Sequence, residues 1–293
     1  MNTSTAKDYY LDLLKQCLTR YLYPEKYRAY NPPQGPDVLV RLKRTMYQSL
    51  DKVLASHQVA LVRVVPFDPA KRISGEDWPA EADTMIGLKR LDNLQNCITD
   101  VLERRVPGDF IETGVWRGGA SIFMRAILKA YGDTERTVWV ADSFQGLPKP
   151  NAEMYPADTG DVHWQFENLR VSLDEVKHSF EKYKLLDEQV RFLVGWFSET
   201  LPMAPIKELA ILRLDGDMYE STMDALRALY HKVSIGGYVI VDDYFAVPGC
   251  RKAIEDFRGE NRLHEPIERI DWAGAFFKKT FPSLKEQENQ LGR

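Results

Sequence analysis

The chain has 293 residues, 44% of them hydrophobic and 28% charged, with a formal net charge of -4. That is room for one large α/β domain with an appendage, or for two small ones. The scattered basic residues exclude an electrostatic nucleic-acid binder, no stretch reaches membrane-span length, and the balance is not that of a disordered chain. Cys17, Cys97 and Cys250 are an odd, widely spaced set, which argues against a disulfide framework or thiolate zinc site and for a reducing, cytoplasmic setting. Met1 to Asp8 lacks the pattern of a signal peptide.

From Ala6 to Tyr23, Tyr10, Leu11, Leu14, Leu18 and Leu22 recur at helical spacing. After a break at Asn31-Pro32-Pro33 and Gly35-Pro36, a second helix is expected to about His57. Leu61 to Ala82, with Pro66, Pro69, Gly75 and Pro79, reads as loop with a short extended piece at its start, either a cover or a linker. Ile86 to Arg105 is an amphipathic helix through Leu91, Leu94, Ile98 and Val101.

The first strand of a sheet is expected at Asp109-Phe110-Ile111-Glu112, followed by the turn Glu112-Thr113-Gly114-Val115-Trp116-Arg117-Gly118-Gly119-Ala120-Ser121 and a helix ending at Gly132. Strand, glycine turn and helix start bring backbone N–H groups to a ligand crevice. In this reading Gly114 admits ligand atoms closely, and Gly118 and Gly119 let the helix begin tightly. The spacing is not GxGxxG, so a dinucleotide is disfavoured.

Thr137 to Asp142 is the second strand; an acid there suits ribose hydroxyls, with Ser143 and Phe144 beside it, although Asp142 could instead cap. The loop Gln145 to Trp164 carries Tyr155, His163 and Trp164, which suits an acceptor substrate; His163 could equally be a satisfied surface side chain. A helix is expected from Ser172 to Tyr183 and a third strand from Val190 to Val194, running into Gly195-Trp196, where an adenine could lie or the ring could simply pack.

Two apolar runs then end in carboxylates: Leu209 to Leu214 at Asp215-Gly216-Asp217, and Tyr238 to Val241 at Asp242-Asp243. Ser221 to Val233 between them reads as a helix opened by a Ser221–Asp224 capping box. Such a βαβ unit is parallel, so both acid clusters fall at one edge of a sheet covered on both faces. Clustered carboxylates there need a cation or strong hydrogen-bond donors to compensate them, and a hard divalent ion such as Mg²⁺ fits oxygen ligands. They could also simply end strands and cap the next elements. The metal reading requires Asp215 and Asp242 on one side of the molecule, with no lysine or arginine filling the gap between them. Arg251 to Arg258 reads as helix, Ile267 to Asp271 with Ala275 to Lys279 as a closing hairpin, and Glu286 to Arg293 as a polar tail.

FIETGVWRGGAS (Phe110 to Ser121), ADSFQGLPKP (Ala141 to Pro150), FLVGWFSETLP (Phe192 to Pro202), LDGDMYEST (Leu214 to Thr222) and IVDDY (Ile240 to Tyr244), in this order, make the chain resemble the macrocin O-methyltransferase family. These are class I S-adenosylmethionine-dependent enzymes that methylate sugar hydroxyls of antibiotics.

The resemblance covers roughly Met85 to Lys279. It implies a Rossmann-like, mostly parallel seven-stranded α/β sheet with helices on both faces and the last strand antiparallel. A helical N-terminal extension and cover (1–82), a methyltransferase domain (83–280) and a tail (281–293) divide the chain. It further implies Mg²⁺ at Asp215, Asp242 and Asp243, the donor's methionine part along Glu112, Thr113, Gly114, Val115, Trp116, Gly118, Gly119 and Ser121, ribose at Asp142, Ser143 and Phe144, and adenine near Gly195 and Trp196.

Asp215 serves as base by the resemblance, with His163 assisting; Asp217 is the other candidate. The expected acceptor is a small sugar or diol, with no nucleic-acid or membrane partner, and the expected assembly is a homo-oligomer, dimer or higher. A catechol-type methyltransferase and a non-catalytic nucleoside-binding protein of the same fold are the rival readings.

Overall fold

A computed structural model describes residues 5–32 and 35–282; the expected tail from Glu286 lies outside them. Helix α1 (Ala6–Leu18) begins at a Thr5–Asp8 capping box and stops short of Tyr23, because Arg20 turns left-handed at φ 56°. Then come β1 (Tyr27–Ala29), α2 (Val38–Ser56) and β2 (Val62–Val64), the two strands pairing antiparallel. Within the stretch expected as loop lies a short helix, α3 (Pro69–Ser74), capped by Asp68 and closed by left-handed Gly75. Helix α4 (Leu88–Glu103) leads into the sheet.

The sheet is built from β3 (Asp109–Thr113), β4 (Val138–Asp142), β5 (Val190–Val194), β6 (Leu209–Leu214), β7 (Val233–Val241), β8 (Glu268–Arg269) and β9 (Ala275–Lys278), in the order β5-β4-β3-β6-β7-β9-β8. The pairs from β5 to β7 are parallel, and β9 runs antiparallel to both its neighbours. Helices α5 (Gly119–Tyr131), α6 (Leu173–Lys182), α7 (Phe197–Thr200), α8 (Tyr219–Leu229) and α9 (Pro248–Glu260) complete the layers.

Alternation along the strands divides the core in two. Phe110 and Ile240 join one buried cluster with α1, α4 and α5, whereas Ile111, Val239 and Val241 join the other with α8 and α9. This is why the strands read as unbroken apolar runs. Leu11, Leu14 and Leu18 of α1 lie in the first cluster, so the expected extension 1–82 begins inside the main core. From Lys26 to Lys71, by contrast, no described residue is buried.

Helix α8 begins at Tyr219 with Met218 at the cap position, not at a Ser221–Asp224 box. The capping oxygens come from elsewhere in the chain: Asp158 accepts from the backbone N–H of Tyr219 at 2.7 Å and of Glu220 at 3.1 Å.

Candidate functional site

Strand order reverses between β3 and β6, and open α/β sheets bind ligands at the carboxyl ends of the strands flanking such a point. A cavity of about 310 Å³ opens there. Its walls are the β3 turn (Gly114, Val115, Trp116), the β4 end (Asp142, Ser143), the β5 end (Gly195 to Ser198) and the β6 end (Asp215 to Asp217). Trp116, Phe144 and Asp217 all hold positive φ, at 47°, 57° and 56°, so three successive strand ends each carry a residue in a sparsely populated conformation.

Several expected site residues line this cavity: Gly114, Val115, Trp116, Asp142, Ser143, Gly195, Trp196, Asp215 and Asp217. Thr113, Gly118, Gly119, Ser121, Phe144, His163, Asp242 and Asp243 are outside its lining. So is Glu112, 2% exposed, accepting from Arg213 at 2.8 Å and from Ser121; burial pushes its carboxyl up to about 7.

Gly114 lines the cavity and Gly118 opens α5 at φ 83°, and two of the glycines also answer to neighbouring chain. A Cβ on Gly114 would stand 1.8 Å from the carbonyl oxygen of Asp215, so Gly114 accommodates the neighbouring strand end. A Cβ on Gly119 would meet the Asp83 carbonyl at 2.4 Å, because the segment before α4 crosses the start of α5.

Asp142 accepts from the N–H of Val115 at 2.8 Å and of Phe144 at 2.7 Å. It therefore ties the β3 turn to the β4 turn, with the Ser143 hydroxyl donating to the same carboxylate at 3.5 Å. His163 donates its backbone N–H to Asp161 at 2.8 Å, and its Nδ1 lies 2.8 Å from the same carboxylate. It stands close enough to Asp217 to favour that group's charged form.

Parallel pairing of Leu214 with Val241 brings the two acid-tipped strand ends together. Ligand atoms of Asp215, Asp242 and Asp243 lie within 4.8 Å of one another. The expectation of an arginine-free gap is overturned. Arg213 donates to Asp215 at 2.6 Å and to Asp242, and Arg90 donates to Asp242 and, at 2.8 Å, to Asp271.

The reason is the period of the strand: Arg213 and Asp215 share a face of β6, and a buried guanidinium needs carboxylate partners. The cluster nevertheless keeps an excess of acid, with Glu112, Asp215, Asp242, Asp243 and Asp271 around two guanidinium groups. Asp243 Oδ2 is buried without a hydrogen-bond partner, and burial with the neighbouring carboxylates pushes Asp243 well up. Asp215 is raised to about 6 by burial and Asp242, and Asp217 to about 7 by burial and Asp215. Arg213 and Arg90 engage both oxygens of Asp242 and one of Asp215, so the donors left open to a divalent cation are the Asp243 carboxylate with its orphaned oxygen and the second Asp215 oxygen, a set that fits such an ion where water or substrate completes it.

Sequence reasoning missed Arg90, Arg213, Asp158 and Asp271. An arginine inside the apolar run LAILRL was the available signal, because a charge in a two-sided strand must find partners.

Sheet order, cavity and glycine turn together define a class I S-adenosylmethionine-dependent methyltransferase. The chain belongs to the macrocin-O-methyltransferase family, whose model matches residues 7–279, and is an O-methyltransferase. It is 46% identical over 285 residues, 97% of both chains, to the 8-demethyl-8-(2,3-dimethoxy-alpha-L-rhamnosyl)-tetracenomycin-C 4'-O-methyltransferase of Streptomyces olivaceus. It is 53% identical over 210 residues, 71% of this chain and 80% of the relative, to the demethyldecarbamoylnovobiocin O-methyltransferase of Streptomyces niveus. The solved structure of the O-methyltransferase NovP superposes with TM-score 0.79 at 43% identity, covering 94% of this chain and all of that one.

Proposed function

We propose that the protein transfers the methyl group of S-adenosylmethionine to a hydroxyl of a deoxysugar, or of a similar diol, on an antibiotic-type natural product, with Mg²⁺ at Asp215, Asp242 and Asp243. One observation carries the metal reading: three carboxylates within 4.8 Å, one with an orphaned buried oxygen, at the rim of the cavity. The rhamnosyl substrate in the name of the Streptomyces olivaceus relative favours a sugar over a catechol.

The sulfonium methyl is already activated, so the protein's task is to align an oxygen behind the methyl carbon and to take one proton. The donor lies along Gly114 to Trp116, its ribose toward Asp142 and its adenine near Gly195 and Trp196. Mg²⁺, when bound, would lower the pKa of a chelated sugar hydroxyl.

Asp217 takes the proton. Asp215 is held by Arg213, whereas among the described residues Asp217 makes no salt bridge, and it lines the cavity beside Asp215, where it can accept a proton from a bound hydroxyl. His163 stands close enough to support the ionised form of Asp217.

Turnover of rhamnosyl glycosides against catechols, with and without EDTA, tests the reading. Sugar methylation that stops in chelator and returns with Mg²⁺ is expected; preference for catechols, or full activity in chelator, would refute it.

The assembly is a homo-oligomer in this reading. Leu39, Leu42, Met46, Leu50 and Val53 form an exposed apolar stripe along α2, more than an isolated helix leaves in water. Light scattering should give at least twice the chain mass. Unpaired Cys17, Cys97 and Cys250 support a reducing, cytoplasmic compartment. Among the described residues no helix is long and apolar enough to cross a membrane.

A further inference from the structure

The loop joining β4 to α6 folds as three single 3₁₀ turns, Pro156–Asp158, His163–Gln165 and Glu167–Leu169. It has few apolar anchors of its own, since Met154, Val162 and Phe166 are all exposed. Buried residues hold its two ends, Phe144 and Val171, and between 145 and 170 a single side chain is buried. Asp158 is 3% exposed and reaches between the first turns of α8 and α9.

Its Oδ1 accepts from Tyr219 N–H and its Oδ2 from Glu220 N–H. On the other side, a Cβ on Gly249 in the first turn of α9 would stand 2.7 Å from Asp158 Oδ1. Helix N-termini favour a negative charge; this carboxylate caps α8 and packs against the first turn of α9. Both helices follow strands whose tips carry the acid cluster.

We propose that Asp158 is a positioning residue for the acceptor: by locking the loop onto the start of α8, it holds His163 at a fixed separation from Asp217 and the α8 side of the cavity, where Glu220 and Ser221 also line the wall. The inference rests on the functional reading above. Asp158 is absent from the cavity wall, so it acts through others.

Asp217 holds φ 56° only two residues before Tyr219, in a turn closed by Met218 N–H to Gly216 O at 2.6 Å; the anchor on Tyr219 fixes the end of that turn. In the other direction Asp161 N–H bonds back to Asp158 O at 3.1 Å, and Asp161 holds His163 at two points. Tyr155 and Tyr219, with ring centroids 6.0 Å apart, brace the same junction. The donor-side walls, Gly114 to Trp116 and Gly195 to Ser198, lie on other strand ends, and the parts of the loop that meet the cavity or Trp116, Gly146 to Pro148 and Asn168-Leu169, flank the anchored stretch 154–165. Loss of Asp158 therefore separates acceptor binding from donor binding.

The test compares wild type, Asp158→Ala and Gly249→Ala, all as full chains. The second variant leaves Asp158 in place and pushes it out sterically, in a helical turn where alanine is otherwise favoured over glycine. S-adenosylhomocysteine affinity by calorimetry should stay within about threefold in both, while KM for a rhamnosyl glycoside rises roughly 10- to 100-fold. Hydrogen exchange should quicken together at residues 154–165 and 217–220.

An acceptor KM unchanged in Asp158→Ala, or donor affinity lost in parallel with it, would overturn the proposal, since an ordinary helix cap changes stability without this split. If wild type methylates no sugar, the functional reading fails by itself and exchange decides the anchor: a joint rise upholds it, and an unchanged loop overturns it. If Asp158→Ala does not fold, Gly249→Ala decides by the same readouts.

Discussion

The tips of β6 and β7 and the arm from Lys26 to Lys71 are opposite kinds of structure. At the strand tips nearly every group is over-determined: Arg213 is 1% exposed and bonds three carboxylates, and Gly114 has no room for a methyl group. In the arm no described residue is buried, and α2 carries its apolar stripe outward. A region whose interactions close on themselves can be understood from one chain. A two-stranded sheet with an unburied helix cannot hold itself, so its determinants lie in whatever it packs against.

The contrast is sharpest in activity. Asp215→Asn should lower turnover by about a thousandfold or more while S-adenosylhomocysteine affinity, read by calorimetry, stays within a few fold. Equal losses of both would show that the metal and donor regions have been confused.

Next in size is Arg213→Met. It leaves Glu112, Asp215 and Asp242 short of a counter-charge and should cost about 3–5 kcal/mol in denaturant unfolding, because breaking a buried ion pair strands its partners. Gly114→Ala follows, since it must displace the Asp215 carbonyl and adopt φ 87°. A loss of about 1–3 kcal/mol is expected by the same measurement; a neutral result would mean that the β3 and β6 tips are not in contact.

The smallest stability effect belongs to the arm. Leu42→Ser should change the unfolding free energy of the chain by no more than about 0.5 kcal/mol, as for surface positions generally. Its consequence should appear in light scattering as a lower mass, and an unaltered mass would remove α2 from the interface.

The same contrast explains what the sequence could disclose. The two apolar runs were legible because a strand covered on both faces has few alternatives, and their carboxylate tips because a right-handed crossover leaves one arrangement. Gly114 and Gly119 announced close approach, but not to what: Asp215 and Asp83 reach them through tertiary contacts that no local spacing encodes. The start of α8 was misread at Ser221 because its cap, Asp158, comes from a distant loop. Helix α3 was missed although Asp68, Pro69 and Gly75 are the ordinary signs of a short capped helix. Arg213 was passed over inside an apolar run, where a charge should have prompted a search for its partners.

The account turns on whether the acid cluster holds a divalent ion. Titration of the protein with Mn²⁺ as a paramagnetic probe, followed by electron paramagnetic resonance, addresses this directly. One ion per chain is expected to bind, compete with Mg²⁺ and lose affinity by roughly tenfold or more in Asp243→Asn, which removes the orphaned oxygen's charge. Identical binding in wild type and Asp243→Asn, or no binding in either, would contradict the central claim.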